Sequence, residues 1–96
     1  MTDKPNITLI LRENKSRLIN KYHLTSIGVF GSFTRDDFRD DSDIDILIEY
    51  AQPMGIEFID LAEELEKLLK RPVDLVSRNG IKPKYFKEIQ KDLMYV

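Results

Sequence analysis

The sequence predicts an α+β domain in which helices pack on a small mixed β-sheet, and three observations carry that prediction. Helical and strand-like hydrophobic periods alternate along the chain with short joints between them. No internal repeat or low-complexity linker interrupts them. The 96 residues suit a single domain, 1–96. A chain of this size buries roughly 60% of its unfolded surface, enough for one small sheet covered by helices.

Residues 6–22 read as a helix. Ile7, Ile10, Leu11, Leu18 and Tyr22 recur on one side at helical spacing after Pro5, with Asn6 as the candidate cap. "TSIGVF" (residues 25–30) is short, partly β-branched and stopped by Gly31, as a buried strand would be. A short turn or helix follows. "DIDILIEY" (residues 43–50) alternates aspartate with isoleucine and then turns apolar, which describes a strand with one wet, acidic end. "GIEFIDLAEELEKLLK" (residues 55–70) sets Phe58, Leu61, Ala62, Leu65, Leu68 and Leu69 on one stripe with charges opposite, an amphipathic helix. "RPVDLVS" (residues 71–77) is a third strand with Asp74 in its middle. A last helix begins at Pro83, with Tyr85, Phe86, Ile89 and Leu93 spaced by a turn. The expected order is helix-strand-helix-strand-helix-strand-helix, the second helix being the short one.

Composition excludes several functions. Fifteen basic and 17 acidic residues leave a formal charge of −2, and the basic ones are scattered, so no nucleic-acid binder relying on phosphate neutralisation is expected. With no cysteine, disulfides and thiolate metal sites are out. The amino-terminal stretch carries no signal peptide and no span for a membrane, which makes the cytoplasm the expected location.

The chemistry concentrates in residues 29–50, where six aspartates and two arginines stand between two buried strands. Asp43 and Asp45 are two apart on a strand, so both leave one face while Ile44 and Ile46 leave the other. Carboxylates held side by side repel and raise each other's pKa unless something positive intervenes. Oxygen-only ligands without nearby histidine or cysteine suit a hard cation, magnesium or manganese, which takes one or two carboxylates plus water and substrate phosphates. Upstream, Gly31 and Ser32 sit where a strand ends. A glycine admits close backbone approach, and a serine hydroxyl with free amides can hold a phosphate, to which Arg35 can add a charge-assisted hydrogen bond.

Gly31-Ser32, ten intervening residues, then Asp43-Ile44-Asp45 and "ILIEY" resembles the signature of the polymerase-beta-type nucleotidyltransferase superfamily. Within it the chain is most similar to the minimal nucleotidyltransferases, single-domain proteins often encoded beside a HEPN-domain toxin as its antitoxin. The resemblance covers nearly the whole chain and implies the nucleotidyltransferase fold. It implies that Gly31 and Ser32 hold the triphosphate of ATP, that Asp43 and Asp45 bind two magnesium ions (manganese being an alternative), and that Asp74 is a third carboxylate sharing one metal near the acceptor hydroxyl. Arg35 matches an arginine common after the glycine-serine pair. Asp36 is a departure, standing where a small residue, often glycine, is usual. The implied reaction is attack of an acceptor oxygen on the α-phosphorus of ATP with release of pyrophosphate. The implied acceptor is a tyrosine of the HEPN toxin, and the alternative is a non-catalytic antitoxin that neutralises its partner by binding alone.

Simpler roles account for other residues. Asp36, Asp37, Asp40 and Asp41 read as a solvated acidic turn, and a lone Asp74 is also what an exposed edge strand would carry. His23 reads as a helix-end residue favoured by the dipole. Tyr50, Tyr85 and Phe86 read as core or rim packing, with Tyr50 near enough to border a pocket. A calcium loop starting at Asp41 fails, because Ile46 and Gln52 occupy the positions that need glycine and glutamate. No glycine-lysine-serine/threonine tripeptide of a Walker loop occurs. A glycosyltransferase-type DxD would need a much longer chain.

Overall fold

In the computed structural model, which describes residues 6–35, 39 and 42–96, the elements run α1 (Ile7–Tyr22), β1 (Leu24–Phe30), a 3-10 turn (Gly31–Phe33), β2 (Ile44–Tyr50), α2 (Glu57–Leu69), β3 (Val73–Ser77), a second 3-10 turn (Arg78–Gly80), α3 (Pro83–Gln90) and β4 (Met94–Tyr95). The expected α+β architecture is present, with the short second helix reduced to one 3-10 turn. Pro5, Asp36 and the acidic-turn residues Asp37, Asp40 and Asp41 lie outside the described residues.

The spacing of α1 buries Ile7, Leu11, Leu18 and Tyr22. Asn6 makes no side-chain cap; its carbonyl accepts from the Ile10 N–H at 3.0 Å instead. His23 closes the helix in the left-handed region (φ 56°) with its N–H on the Ile19 carbonyl, the helix-end role its position predicts. The sheet order is β3-β2-β1-β4, with β1 antiparallel to β2 and β4, and β2 parallel to β3. A parallel neighbour needs a crossover, and α2 provides it.

Strand alternation divides the two faces. Ile44, Ile46 and Ile48 of β2 are fully buried with Ile27 and Val29 under α1 and α2, where Leu61 and Leu65 meet them. Each such side chain contributes about 1.5–3 kcal/mol relative to exposure. On the other face Phe30 and Leu47 pack with Ile89 of α3, beside Val76, Ile81, Phe86 and Leu93. The Arg78 guanidinium lies 3.9 Å over the Phe86 ring. This second cluster is small, so α3 covers only part of its face.

The tail differs from the helix expected there. α3 stops at Gln90, Leu93 lies beyond it, and Met94–Tyr95 form a fourth strand on β1, opposite Val29 and Gly28. Gly28 admits them: a Cβ there would stand 2.8 Å from Leu93 Cδ1 and 3.3 Å from Tyr95 Cδ1. A two-residue strand has no period to read, so only its partner reveals it.

Glu64 ties α2 to α1. It accepts hydrogen bonds from Tyr22 Oη at 2.7 Å, from Lys21 Nζ at 3.1 Å and from Arg17 Nη1. Partial burial pushes its carboxyl up, and the hydrogen bonds from Arg17, Tyr22 and Lys21 together outweigh that, leaving its pKa at about 2 against an ordinary 4.5. A depressed folded-state pKa gives stability that is present above the ordinary value and lost as pH falls toward the folded one. Glu64→Gln should therefore lower the melting temperature at pH 7 by several degrees, about 1 kcal/mol of charge-assisted bonding. The gap to wild type should shrink as pH falls from 4.5 toward 2; thermal melts across that range that keep a constant gap would remove Glu64 from this role.

Candidate active site

The alternation that buries Ile44 and Ile46 sends Asp45 to the α3 face. Register does the rest. Asp45 pairs with Phe30 of β1 on one side and with Asp74 of β3 on the other, so the 3-10 turn after Phe30 and the Asp74 carboxylate flank it. Asp43 precedes β2, exposed and with the same parity. The geometry thus brings Gly31, Asp45 and Asp74 into one row across three strands, a juxtaposition no local pattern reveals.

Asp45 is half-buried, and its carboxyl is pushed up to about 6. Burial is the main cause, followed by the charges of Asp74 and Asp43, with a hydrogen bond to Asp74 adding to the rise and the Arg35 charge opposing it. Gly31 holds φ 76° and is itself buried. A Cβ on it would fall 2.0 Å from Asp45 Oδ2, so the missing side chain lets the turn's backbone rest on the carboxylate. The Gly31 carbonyl accepts from the amides of Thr34 and Arg35, both at 3.2 Å, and from Thr34 Oγ1 at 3.0 Å, which fixes the turn.

A cleft of about 460 Å³ opens beside this row, walled by Gly31, Asp45 and Arg35 at one end and by residues of α3 and the following tail along the other. Ser32, half-buried in the turn, Asp43 and Asp74 are outside its wall. Arg35 extends across to Asp92, Nη1 to Oδ2 at 3.3 Å, and so bridges the glycine turn and the tail. Residues the sequence did not single out, Glu88, Lys91 and Asp92, complete the wall with Ile89 of the α3 stripe and with Tyr85, half-exposed on the cleft where packing was expected. Tyr50 packs against the main core on the opposite face, away from the cleft.

Among the described residues no three histidine, cysteine or acidic side chains stand together as a ready-made metal cage. The donor set nevertheless fits a hard divalent ion. Asp45 and Asp74 are carboxylates paired across neighbouring strands whose repulsion a cation would relieve, and magnesium needs only one or two of them because water and phosphate fill its remaining positions.

Strand-borne carboxylates thus stand beside a glycine turn on a small mixed sheet. The chain belongs to the family described as the nucleotidyltransferase domain, whose profile matches residues 8–96. A Methanocaldococcus jannaschii chain assigned as a protein adenylyltransferase is 43% identical over 89 residues, 91% of each chain. A solved structure described as a minimal nucleotidyltransferase superposes with a TM-score of 0.81 at 26% identity, covering 98% of this chain and 97% of that one. A chain of a toxin-antitoxin crystal structure with AMP-PNP gives 0.71 at 25% identity, over 98% of this chain and 72% of that one.

Proposed function

We propose that this protein transfers AMP from ATP to a tyrosine of a HEPN-type toxin encoded beside it, and so acts as that toxin's antitoxin in the cytoplasm. The observation that carries the reading is the row Gly31, Asp45, Asp74, which sets a backbone turn, a central carboxylate and an edge-strand carboxylate in register. The adenylyltransferase relative and the toxin-antitoxin neighbour with an ATP analogue support it.

Gly31 and Ser32 receive the triphosphate, and Arg35 reaches it while keeping its bond to Asp92, since a guanidinium has five donors. Asp43, Asp45 and Asp74 would hold two magnesium ions, or manganese, which when bound would supply neutralisation of the charge that develops during transfer. The cleft needs it, because among the described residues its wall carries the carboxylates of Asp45, Glu88 and Asp92 against Arg35 and Lys91, so an unaccompanied polyphosphate meets net negative charge from them. Asp74 is exposed on edge strand β3, where a macromolecular acceptor can reach it. It orients the tyrosine hydroxyl and takes its proton as the oxygen bonds to the α-phosphorus. The bond from that phosphorus to the bridging oxygen breaks, and pyrophosphate leaves.

The test is to incubate wild type and Asp74→Asn with labelled ATP and the neighbouring toxin, with magnesium or with chelator, and follow label on toxin tyrosine alongside toxin neutralisation. Wild type should label the toxin only with the metal, and Asp74→Asn should lose roughly a hundredfold or more in rate. Neutralisation that persists in Asp74→Asn without label on either protein overturns the enzymatic reading and leaves an antitoxin that works by binding.

A further inference from the structure

Resting on that reading, we infer that the α3 wall of the cleft is the nucleoside subsite, with the Tyr85 ring as the platform on which the nucleobase stacks. The cleft has a direction. Its phosphate end is marked by Gly31 and Arg35, and Asp74 lies outside it on the β3 edge; an acceptor arriving from that edge stands opposite the leaving pyrophosphate, so the nucleoside lies to the side of that axis, where α3 walls the cleft. A volume of about 460 Å³ lies within the range of small-ligand sites.

Among the described residues of that wall, Tyr85 is the exposed aromatic ring, set among charged side chains. Tyr85 is 55% exposed, while its neighbour Phe86 is packed into the second core cluster under Arg78 and Ile89 is 5% exposed. The two packed residues anchor α3, so Tyr85 is an aromatic face presented to the cleft by a fixed helix. The polar groups at the rim are already engaged with each other, Arg35 with Asp92 and Lys91 with Glu88 at 3.2 Å. An aromatic platform takes any base by its π-face, so the subsite holds purine nucleotides with little discrimination between adenine and guanine.

Calorimetry on the full chain with magnesium, using ATP, GTP, AMP and inorganic tripolyphosphate as probes, tests this. Tyr85→Ala should weaken ATP, GTP and AMP by about tenfold to a hundredfold and leave tripolyphosphate unchanged, whereas Tyr85→Phe should bind all four like wild type. Nucleotide affinity unchanged in Tyr85→Ala overturns the subsite while the transferase reading stands. An equal loss for tripolyphosphate, or no recovery in Tyr85→Phe, overturns it as well, since the substitution would then be acting on the fold or through the hydroxyl. A wild-type chain that binds neither ATP nor tripolyphosphate overturns the transferase reading and the subsite with it.

Discussion

Asp45→Asn should lose AMP transfer by on the order of a thousandfold while making the nucleotide-free protein more stable at neutral pH. The rate loss is the several kcal/mol that cation-held charge stabilisation is worth, at about 1.4 kcal/mol per tenfold. The gain in stability comes from the same carboxylate. Asp45 titrates at about 6 in the fold against an ordinary 3.8, chiefly because it is partly buried and then because Asp74 and Asp43 repel it. A carboxyl raised in this way adds stability below its ordinary value and loses it as pH climbs through the folded one. Wild type should therefore lose melting temperature relative to Asp45→Asn between pH 4 and pH 7, and magnesium should restore it in wild type alone. Melting curves that run parallel across that range, or a magnesium response that survives in Asp45→Asn, would show that the carboxylate is neither strained nor a ligand.

Gly31→Ala should damage stability and site together. A non-glycine residue at φ 76° costs about 1–2 kcal/mol, and the added Cβ would overlap Asp45 Oδ2 at 2.0 Å. Either the carboxylate leaves its place between the turn and Asp74 or the turn moves away, and both spoil the row. A double-mutant cycle separates the two costs. Asp45→Ala removes the colliding atoms and leaves its own Cβ at 3.4 Å, an ordinary contact. Gly31→Ala should therefore cost less in the Asp45→Ala background, with a coupling of about 0.5–3 kcal/mol measured by denaturant unfolding. Strict additivity would mean that the turn does not rest on Asp45 at all.

Asp43 and Asp45 were legible because a strand has period two: once Ile44 and Ile46 are buried, the aspartates have one face left to occupy. The stripe of α2 was legible for the same kind of reason, and Leu61, Leu65 and Leu69 are buried on it. Gly31 was legible as a glycine at the end of a strand, although nothing local says which side chain fills the space it leaves.

Other features had no local signal. Arg35 and Asp92 are 57 positions apart, and neither lies in a pattern that names the other. Tyr85 follows the spacing of packed residues on α3, yet it faces the cleft because α3 covers only part of its sheet face. β4 exists through its hydrogen bonds to β1 and the space at Gly28. The sequence by itself determined the elements, the faces they bury and the residue types available for chemistry, because each follows from periodicity and covalent geometry within a few residues. Tertiary structure alone decided that Asp74 stands beside Asp45, that Asp92 holds Arg35 and that Tyr85 walls a cleft. Those are consequences of strand order and register, which free-energy differences summed over the whole core select and no short segment encodes.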